Sequence, residues 1–106
     1  MEQNFVCPTS PFHYRRWVTD ELALLMFAAL GQETRFSAFR LLVGEPDGLP
    51  SGEIAARLNV PQNTMSTHMG ILARAGLVSA ERQSRSIIYR AEKTATKAVD
   101  RFLSAT

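Results

Sequence analysis

Apolar residues recur at helical spacing in the first half of the chain. One set lies three and four positions apart and therefore shares one face of a helix: Leu22, Leu25, Met26 and Ala29. We predict that this helix begins at Thr19 or Asp20, either of which can cap it, and ends before Gly31. A second helix is predicted over residues 33–43, where apolar positions again follow the helical period.

Two short helices joined by a tight turn are predicted in the middle of the chain. Ser51 can cap the first of them, which runs to Leu58. The second begins at Pro61 or Gln62, because proline is tolerated in a first helical turn, and it ends at Gly76. This arrangement is typical of a helix-turn-helix, whose second helix enters the major groove of DNA.

A β-hairpin is predicted after this pair of helices. LVSAERQ and SIIYRAE are rich in apolar and β-branched residues, and the polar tip RQSR, residues 82–85, lies where they meet. A last helix is predicted over residues 93–103, and the Pro, Asp and Gly of EPDGLP, residues 45–50, indicate a loop. The predicted fold is mainly α with a small β-hairpin. Its domain covers residues 19–106, after an N-terminal arm of residues 1–18.

The helix that follows Pro61 is polar at its front and apolar at its back. Met65, Met69 and Leu72 form a stripe suited to a core. The front carries hydroxyls, amides and an imidazole: Gln62, Asn63, Thr64, Ser66, Thr67 and His68. Such side chains can read base edges, since Asn and Gln pair bidentately with adenine and Ser and Thr serve as donor or acceptor. Helix caps and solvated surface are the competing interpretation of the same residues.

The tip of the predicted hairpin is basic. Arg82, Ser84 and Arg85 lie there, and a basic hairpin beside a helix-turn-helix is well placed to contact the DNA backbone or minor groove. These three residues complete the predicted DNA-binding set. An interaction module without DNA binding remains an alternative, and it would favour an apolar or acidic face instead.

Composition and charge narrow the class of protein. The 106 residues include one cysteine, which cannot form an internal disulfide framework, so a reducing cytoplasm is expected. Residues 1–50 hold four arginines against six acids, whereas residues 51–106 hold eight Lys and Arg against four acids. The basic second half suits a polyanionic partner. No apolar run reaches the ~20 residues of a membrane span, and no catalytic motif is present, so we expect no enzyme.

Three segments in order resemble the ArsR/SmtB family of winged-helix repressors. They are LGQETRFSAFRLLV, SGEIAARLNVPQNTMSTHMGILARAGLV and RQSRSIIYR. The resemblance implies a winged helix-turn-helix domain in a homodimer whose first and last helices form the dimer face. It also implies a repressor that leaves its DNA when it binds a metalloid, a metal or another signal. Two-fold symmetry then predicts an inverted-repeat operator in double-stranded DNA.

The chain departs from the family at its metal sites. The segment that carries cysteines in some metal sensors reads PSGEIAARL here, and the last helix lacks histidine. Soft and borderline metals need thiolate or imidazole ligands, so we predict no metal site and no cofactor in this chain. LPSGEIAARL and SRSIIYRA resemble an arsenic-sensing subgroup with vicinal cysteines after the last helix. Arsenic or another metalloid is therefore expected only if the native chain continues past Thr106.

Two further expectations concern sensing and assembly. Cys7 is the only thiol, so a redox-responsive repressor would use it, although an inert thiol in the arm is the competing interpretation. His13 lies six positions from Cys7 in the predicted irregular arm, and a lone Cys and His are usually not a metal site. The predicted dimer face combines the apolar set of the first helix with three residues of the last: Val99, Phe102 and Leu103.

Overall fold

Five helices and a three-stranded antiparallel sheet make up the fold. The computed structural model describes the backbone of residues 11–104 and the side chains of residues 21–98, 100 and 101. In chain order the elements are α1 (Pro11–Leu30), α2 (Glu33–Val43), β1 (Leu49–Pro50), α3 (Ser51–Leu58), α4 (Gln62–Arg74), β2 (Val78–Gln83), β3 (Ser86–Ala91) and α5 (Lys93–Ser104). The strand order is β1-β3-β2, so the predicted mainly α fold with a hairpin is confirmed.

Helix α1 is longer than the sequence pattern predicted. It begins at Pro11 rather than at Thr19 or Asp20, so the predicted start is wrong. Proline suits a first helical position because its missing N–H would have no partner there and its φ is already helical. The proposed boundary between an arm and a domain at residue 18 stays a prediction, because residues 1–10 lie outside the described part of the chain.

The predicted loop at residues 45–50 contains a short strand instead. In β1, Leu49 and Pro50 pair antiparallel with Tyr89 and Ile88 of β3. Gly48 precedes the strand with φ +80, and a Cβ on it would lie 2.6 Å from the carbonyl oxygen of Tyr89. Only glycine permits this close approach, so Gly48 lets the chain enter the sheet beside β3.

The start of α3 also differs in detail from the prediction. Ser51 is the first residue of the helix rather than its cap, and Pro50 stands at the capping position with no side-chain hydrogen bond. The extended conformation of Pro50, with φ −69 and ψ 154, serves the end of β1 and the entry to α3 together. One residue therefore closes a strand and opens the helix-turn-helix.

The core lies where α2, α3, α4 and the sheet meet. Its largest fully buried side chains come from these elements and the turn after α4: Leu42, Ile54, Met65, Met69, Leu72 and Leu77. Tyr89 of β3 is also buried in the same cluster. Burial of these apolar groups fixes α4 against the rest of the domain. No helix in the described residues is long and apolar enough to cross a membrane.

Candidate nucleic-acid interface

The turn between α3 and α4 has the geometry of a helix-turn-helix. Asn59 ends α3 in the left-handed conformation, with φ 57 and ψ 49, which asparagine tolerates better than most residues. The Val60 N–H donates to the Ala55 carbonyl at 2.9 Å and closes the turn. Pro61 then precedes α4 in an extended conformation. The short connection places the start of α4 beside α3 at the surface of the domain.

Helix α4 divides into a buried face and an exposed face. Met65, Met69 and Leu72 each have 0% relative exposure. The polar residues of the first two turns are exposed on the other side: Gln62, Asn63, Thr64, Ser66 and Thr67. The predicted separation of a polar front from an apolar back is therefore confirmed. Contact of these residues with DNA stays a prediction.

Two hydrogen bonds fix the exposed start of α4. The Asn63 side-chain Oδ1 accepts from the Thr64 backbone N–H at 2.9 Å. The Thr67 hydroxyl donates to the Asn63 carbonyl at 3.3 Å. Each side chain keeps hydrogen-bonding capacity for a ligand: Asn63 retains its two amide N–H donors, and Thr67 retains the lone pairs of its oxygen. Local hydrogen bonds therefore orient the side chains of Asn63 and Thr67.

Gln62 is exposed, but its side chain also lies beside the start of the neighbouring helix α3. Its side-chain amide is 3.5 Å from the position that a Cβ on Gly52 would occupy. Gln62, Ser51, Gly52 and Arg85 line a shallow cleft of about 280 Å³ with other residues of α3, β1 and β3. The starts of α3 and α4 and the hairpin turn therefore lie side by side. The sequence did not indicate that Ser51 and Gly52 would join this cleft.

The hairpin turn is tighter than predicted. Arg82 and Gln83 pair with Ile87 and Ser86 in the ladder, so only Ser84 and Arg85 form the turn, not residues 82–85. Ser84 adopts φ 59, the left-handed conformation that a two-residue hairpin turn requires at its first position. We call this hairpin, residues 78–91, the wing.

The polar residues at the tip of the wing and Arg90 differ in their hydrogen-bond partners. Arg82, Ser84 and Arg85 are exposed, and their side chains have no hydrogen-bond or ion-pair partner among the described residues. Arg90 instead donates to Glu81 on the neighbouring strand at 2.6 Å. This bond, and a weaker one from Gln83, hold the pKa of the Glu81 carboxyl below its ordinary value. Arg82 and Arg85 are thus available to bind a phosphate, whereas Arg90 links the two strands of the wing through Glu81.

Among the predicted site residues with described side chains, His68 alone is half-buried. Its Nδ1 lies 3.3 Å from the Arg35 Nη1 at the start of α2. A guanidinium can only donate, so a hydrogen bond between these two atoms requires Nδ1 to be the acceptor. The sequence analysis predicted His68 as a DNA-contacting residue. The structure adds the packing partner Arg35, which is 33 positions away and carried no signal in the sequence.

The predicted sensing residues lie mostly outside the described residues. Neither Cys7 nor the side chain of His13 is described. Within the described side chains, no group of three or more His, Cys, Asp and Glu residues is placed to hold a metal ion. The expectations of no resident metal and of a redox role for Cys7 therefore remain predictions.

The predicted dimer face needs correction on α1. Met26 and Ala29 are 4% and 3% exposed and belong to the protomer's own core. Leu22 and Leu25 are exposed as predicted, and Leu24, which the pattern did not select, is 66% exposed. The helical period was correct, but it could not distinguish a residue covered by its own domain from one left uncovered. Val99, Phe102 and Leu103 have side chains outside the described set.

Comparison with known proteins agrees with this geometry. A family model described as a helix-turn-helix domain matches residues 30–79. The transcriptional activator HlyU of Vibrio cholerae serotype O1 is 29% identical over 77 residues, or 73% of this chain and 69% of HlyU. YceK of Bacillus subtilis strain 168, an uncharacterized HTH-type transcriptional regulator, is 31% identical over 67 residues, or 63% of this chain and 67% of YceK.

A solved structure supports the same assignment. An ArsR-like transcriptional regulator from Rhodococcus sp. RHA1 aligns with a TM-score of 0.73 at 28% identity, over 83% of this chain and 81% of that one. The buried back and polar front of α4, next to a basic wing, define a winged helix-turn-helix DNA-binding regulator. The chain belongs to the ArsR family of transcriptional regulators.

Proposed function

We propose that this protein is a sequence-specific transcriptional repressor that reads its operator with α4. The observation that supports this most is the exposed row of Gln62, Asn63, Ser66 and Thr67 on a helix whose opposite face is fully buried. The major groove admits one α-helix, and amide and hydroxyl groups match the donors and acceptors of its base edges. A helix fixed to the core presents those groups with little ordering left to do on binding.

The wing supplies affinity rather than sequence preference in this proposal. Arg82 and Arg85 are exposed and unpaired within the described residues, so their guanidinium groups are available to phosphates. Arg85 also lines the cleft at the starts of α3 and α4, whose lining includes the carboxylate of Glu53 as well. Phosphate contacts of this kind fix the register of a protein on DNA but carry no base information.

We further propose that the protein acts as a homodimer on an inverted repeat. Leu22, Leu24 and Leu25 leave apolar surface uncovered on α1, and a second copy packed there would bury it. In the proposed dimer each α4 helix contacts one half-site on the same side of the DNA. Sedimentation at micromolar concentration should show a dimer, and a protein that stays monomeric there would contradict this part of the proposal.

The direction of regulation follows from where the protein binds. We propose repression, in the cytoplasm, because a dimer bound over a promoter would occlude the polymerase. The relative HlyU is named as an activator, so the direction needs its own measurement. Transcription from a template with the operator over the promoter should fall when the wild-type protein is added. A rise would keep DNA binding and overturn repression.

The signal that releases the protein is proposed to be a metalloid, a metal or an oxidant. Zinc should not release DNA through α5, because no histidine and only one aspartate lie in that helix. If Cys7 carries a redox response, peroxide should release wild type but not Cys7→Ser. Equal release of both proteins by peroxide would remove Cys7 from the account, and equal release by zinc would reveal a thiol-free metal site.

The experiment that tests the proposed function selects DNA before measuring affinity. The full chain is used to enrich duplexes from a random library, and the enriched duplex is then compared with its scrambled sequence by fluorescence anisotropy. We expect tighter binding to the enriched duplex by three orders of magnitude or more, on the order of what specific regulators achieve. Equal binding of both duplexes would refute sequence-specific recognition. No binding to either would favour the protein-interaction module.

A further inference from the structure

Arg35, near the start of α2, contacts both the end of α1 and the recognition helix α4. The Arg35 Nε donates to the Ala29 carbonyl near the end of α1 at 2.7 Å. Its Nη1 lies 3.3 Å from His68 Nδ1 on α4. The side chain is half-buried, so these bonds are less exposed to competition from water than surface pairs are. Three helices therefore meet at one guanidinium.

The backbone of Arg35 is itself held in place. Gln32 caps α2, and its side-chain oxygen accepts from the Arg35 N–H at 2.9 Å. The Gln32 carbonyl also accepts from the Phe36 N–H at 2.9 Å. The guanidinium thus extends from a fixed helix start rather than from a free loop. The planar fork of arginine can serve two acceptors in different directions, which the single ammonium of lysine cannot do in the same geometry.

The position of His68 on α4 gives this contact a role in recognition. Thr64, one turn before His68, lies on the exposed front of the helix. Met65, three positions before His68, and Met69, the next residue, are both buried. His68 therefore stands where the DNA-facing side of α4 meets the core. A hydrogen bond at this edge is directional, so it favours one rotation of the helix about its own axis. The apolar contacts of Met65 and Met69 are non-directional and define that rotation less narrowly.

We propose that Arg35 is a positioning residue for operator recognition, acting through His68 to set the rotation of α4 relative to α1. This inference rests on the proposed function, because its consequence is read in DNA binding. Arg35 touches no base in this account. Since α1 carries the exposed leucines proposed for the dimer face, the same link relates each α4 helix to the face that joins the two copies.

The first test separates positioning from simple charge. Arg35→Ala should weaken binding to the enriched duplex by about tenfold, the usual size for loss of a hydrogen bond to a charged group, and should change binding to scrambled DNA little. Arg35→Lys keeps the charge but lacks the fork, so it should resemble Arg35→Ala. Arg40→Ala is the matched control, because it removes an exposed arginine of α2 whose only partner among the described residues is the Phe36 ring, with 5.8 Å between the guanidinium carbon and the ring centroid.

The second test uses the two nitrogens of His68. An asparagine side-chain oxygen reaches about as far as Nδ1, whereas a glutamine amide reaches about as far as Nε2. The positioning role through Nδ1 predicts that His68→Asn binds the enriched duplex more tightly than His68→Gln. A direct DNA contact through Nε2 predicts the opposite order. The opposite order, or wild-type binding by Arg35→Lys, would overturn the proposal.

A double-mutant cycle decides whether the two residues act together. If Arg35 works through His68, the loss of operator affinity in the Arg35→Ala/His68→Ala protein should be clearly smaller than the product of the two single losses. Multiplying losses would show independent roles and contradict the proposal. Circular dichroism at the assay temperature keeps unfolded variants out of the cycle. Binding by the wild-type protein is measured first. If wild type shows no preference for the enriched duplex, the proposed function is refuted. If wild type shows that preference but the two single losses multiply, only the role of Arg35 is refuted.

Discussion

The recognition helix and the wing both present polar groups to the same side of the molecule, but they are supported in opposite ways. On α4, the polar front is backed by fully buried Met65, Met69 and Leu72 and is ordered by local hydrogen bonds. On the wing, Arg82 and Arg85 extend from a two-stranded ribbon and touch no partner among the described residues. A rigid surface suits the geometry of base edges, whereas long flexible cations suit phosphates, which need only charge nearby.

The largest effect should come from removing the support beneath α4. Leu72 is fully buried, so Leu72→Ala should lower the free energy of unfolding by about 2–5 kcal/mol, through lost burial and the cavity left behind. Ser66→Ala on the exposed front is the matched change in the same helix and should alter stability by less than about 0.5 kcal/mol. Urea denaturation measures both. Similar losses in the two variants would contradict the division of α4 into a core face and a binding face.

The next effect concerns base reading by the polar front. Asn63→Ala should lose roughly 1–3 kcal/mol of specific binding if the amide pairs with a base. Asn63 also accepts from the Thr64 N–H, so alanine disturbs the helix start as well. Asn63→Ser retains an oxygen that can accept this bond and isolates the loss of the amide donors. Wild-type discrimination between operator and scrambled DNA by folded Asn63→Ser would remove Asn63 from base reading.

A smaller and different effect is expected in the wing. Arg85→Ala should weaken operator and scrambled DNA by the same factor, because a phosphate contact is blind to sequence. It should also reduce the slope of log affinity against log salt by about one unit, as expected when one counterion fewer is released. Binding measured at several salt concentrations gives both quantities. An unchanged slope with lost discrimination would instead place Arg85 at a base edge.

The smallest effect concerns the pair that braces the wing. Hydrogen bonds from Arg90 and Gln83 lower the pKa of Glu81 below its ordinary value of 4.5. The charged form is therefore favoured in the folded protein, so its stabilising contribution is present above pH 4.5 and is lost as the pH falls below that value. Both side chains are partly exposed, so the effect is small. Thermal unfolding between pH 3 and pH 7 should show less acid loss in Glu81→Gln than in wild type, and equal loss would contradict the brace.

The same contrast explains what the sequence could predict. The helix-turn-helix and wing are formed by neighbours in sequence, so apolar period, proline and glycine placed them well. Strand β1 was missed because two residues become a strand only by pairing with β3, about forty positions later. The start of α1 was predicted too late because the apolar period begins only at Leu22, whereas Pro11 stands at the first position of the helix, where proline is favoured. In each case the deciding partner or position lay outside the local pattern.

The candidate site divides in the same way. Exposure of Gln62, Asn63, Ser66 and Thr67 followed from the helical period, because the core residues of α4 fix which side faces out. The pairing of His68 with Arg35 could not follow from it, since no local pattern joins residues 33 positions apart. The predicted dimer face was wrong at Met26 and Ala29 for the same reason: the period selected a face of α1, but only the packed fold shows that these two residues are already covered.

Selection of DNA from a random library by three proteins in parallel tests the central claim most directly. The claim is that α4 contacts base edges and sets the sequence preference, whereas the wing contacts only the phosphate backbone of the DNA. Wild type and Arg85→Ala should enrich the same inverted repeat, the latter more weakly, whereas Asn63→Ser should enrich a repeat whose preference is relaxed at one position in each half-site. A changed motif with Arg85→Ala, together with an unchanged motif with Asn63→Ser, would contradict the account.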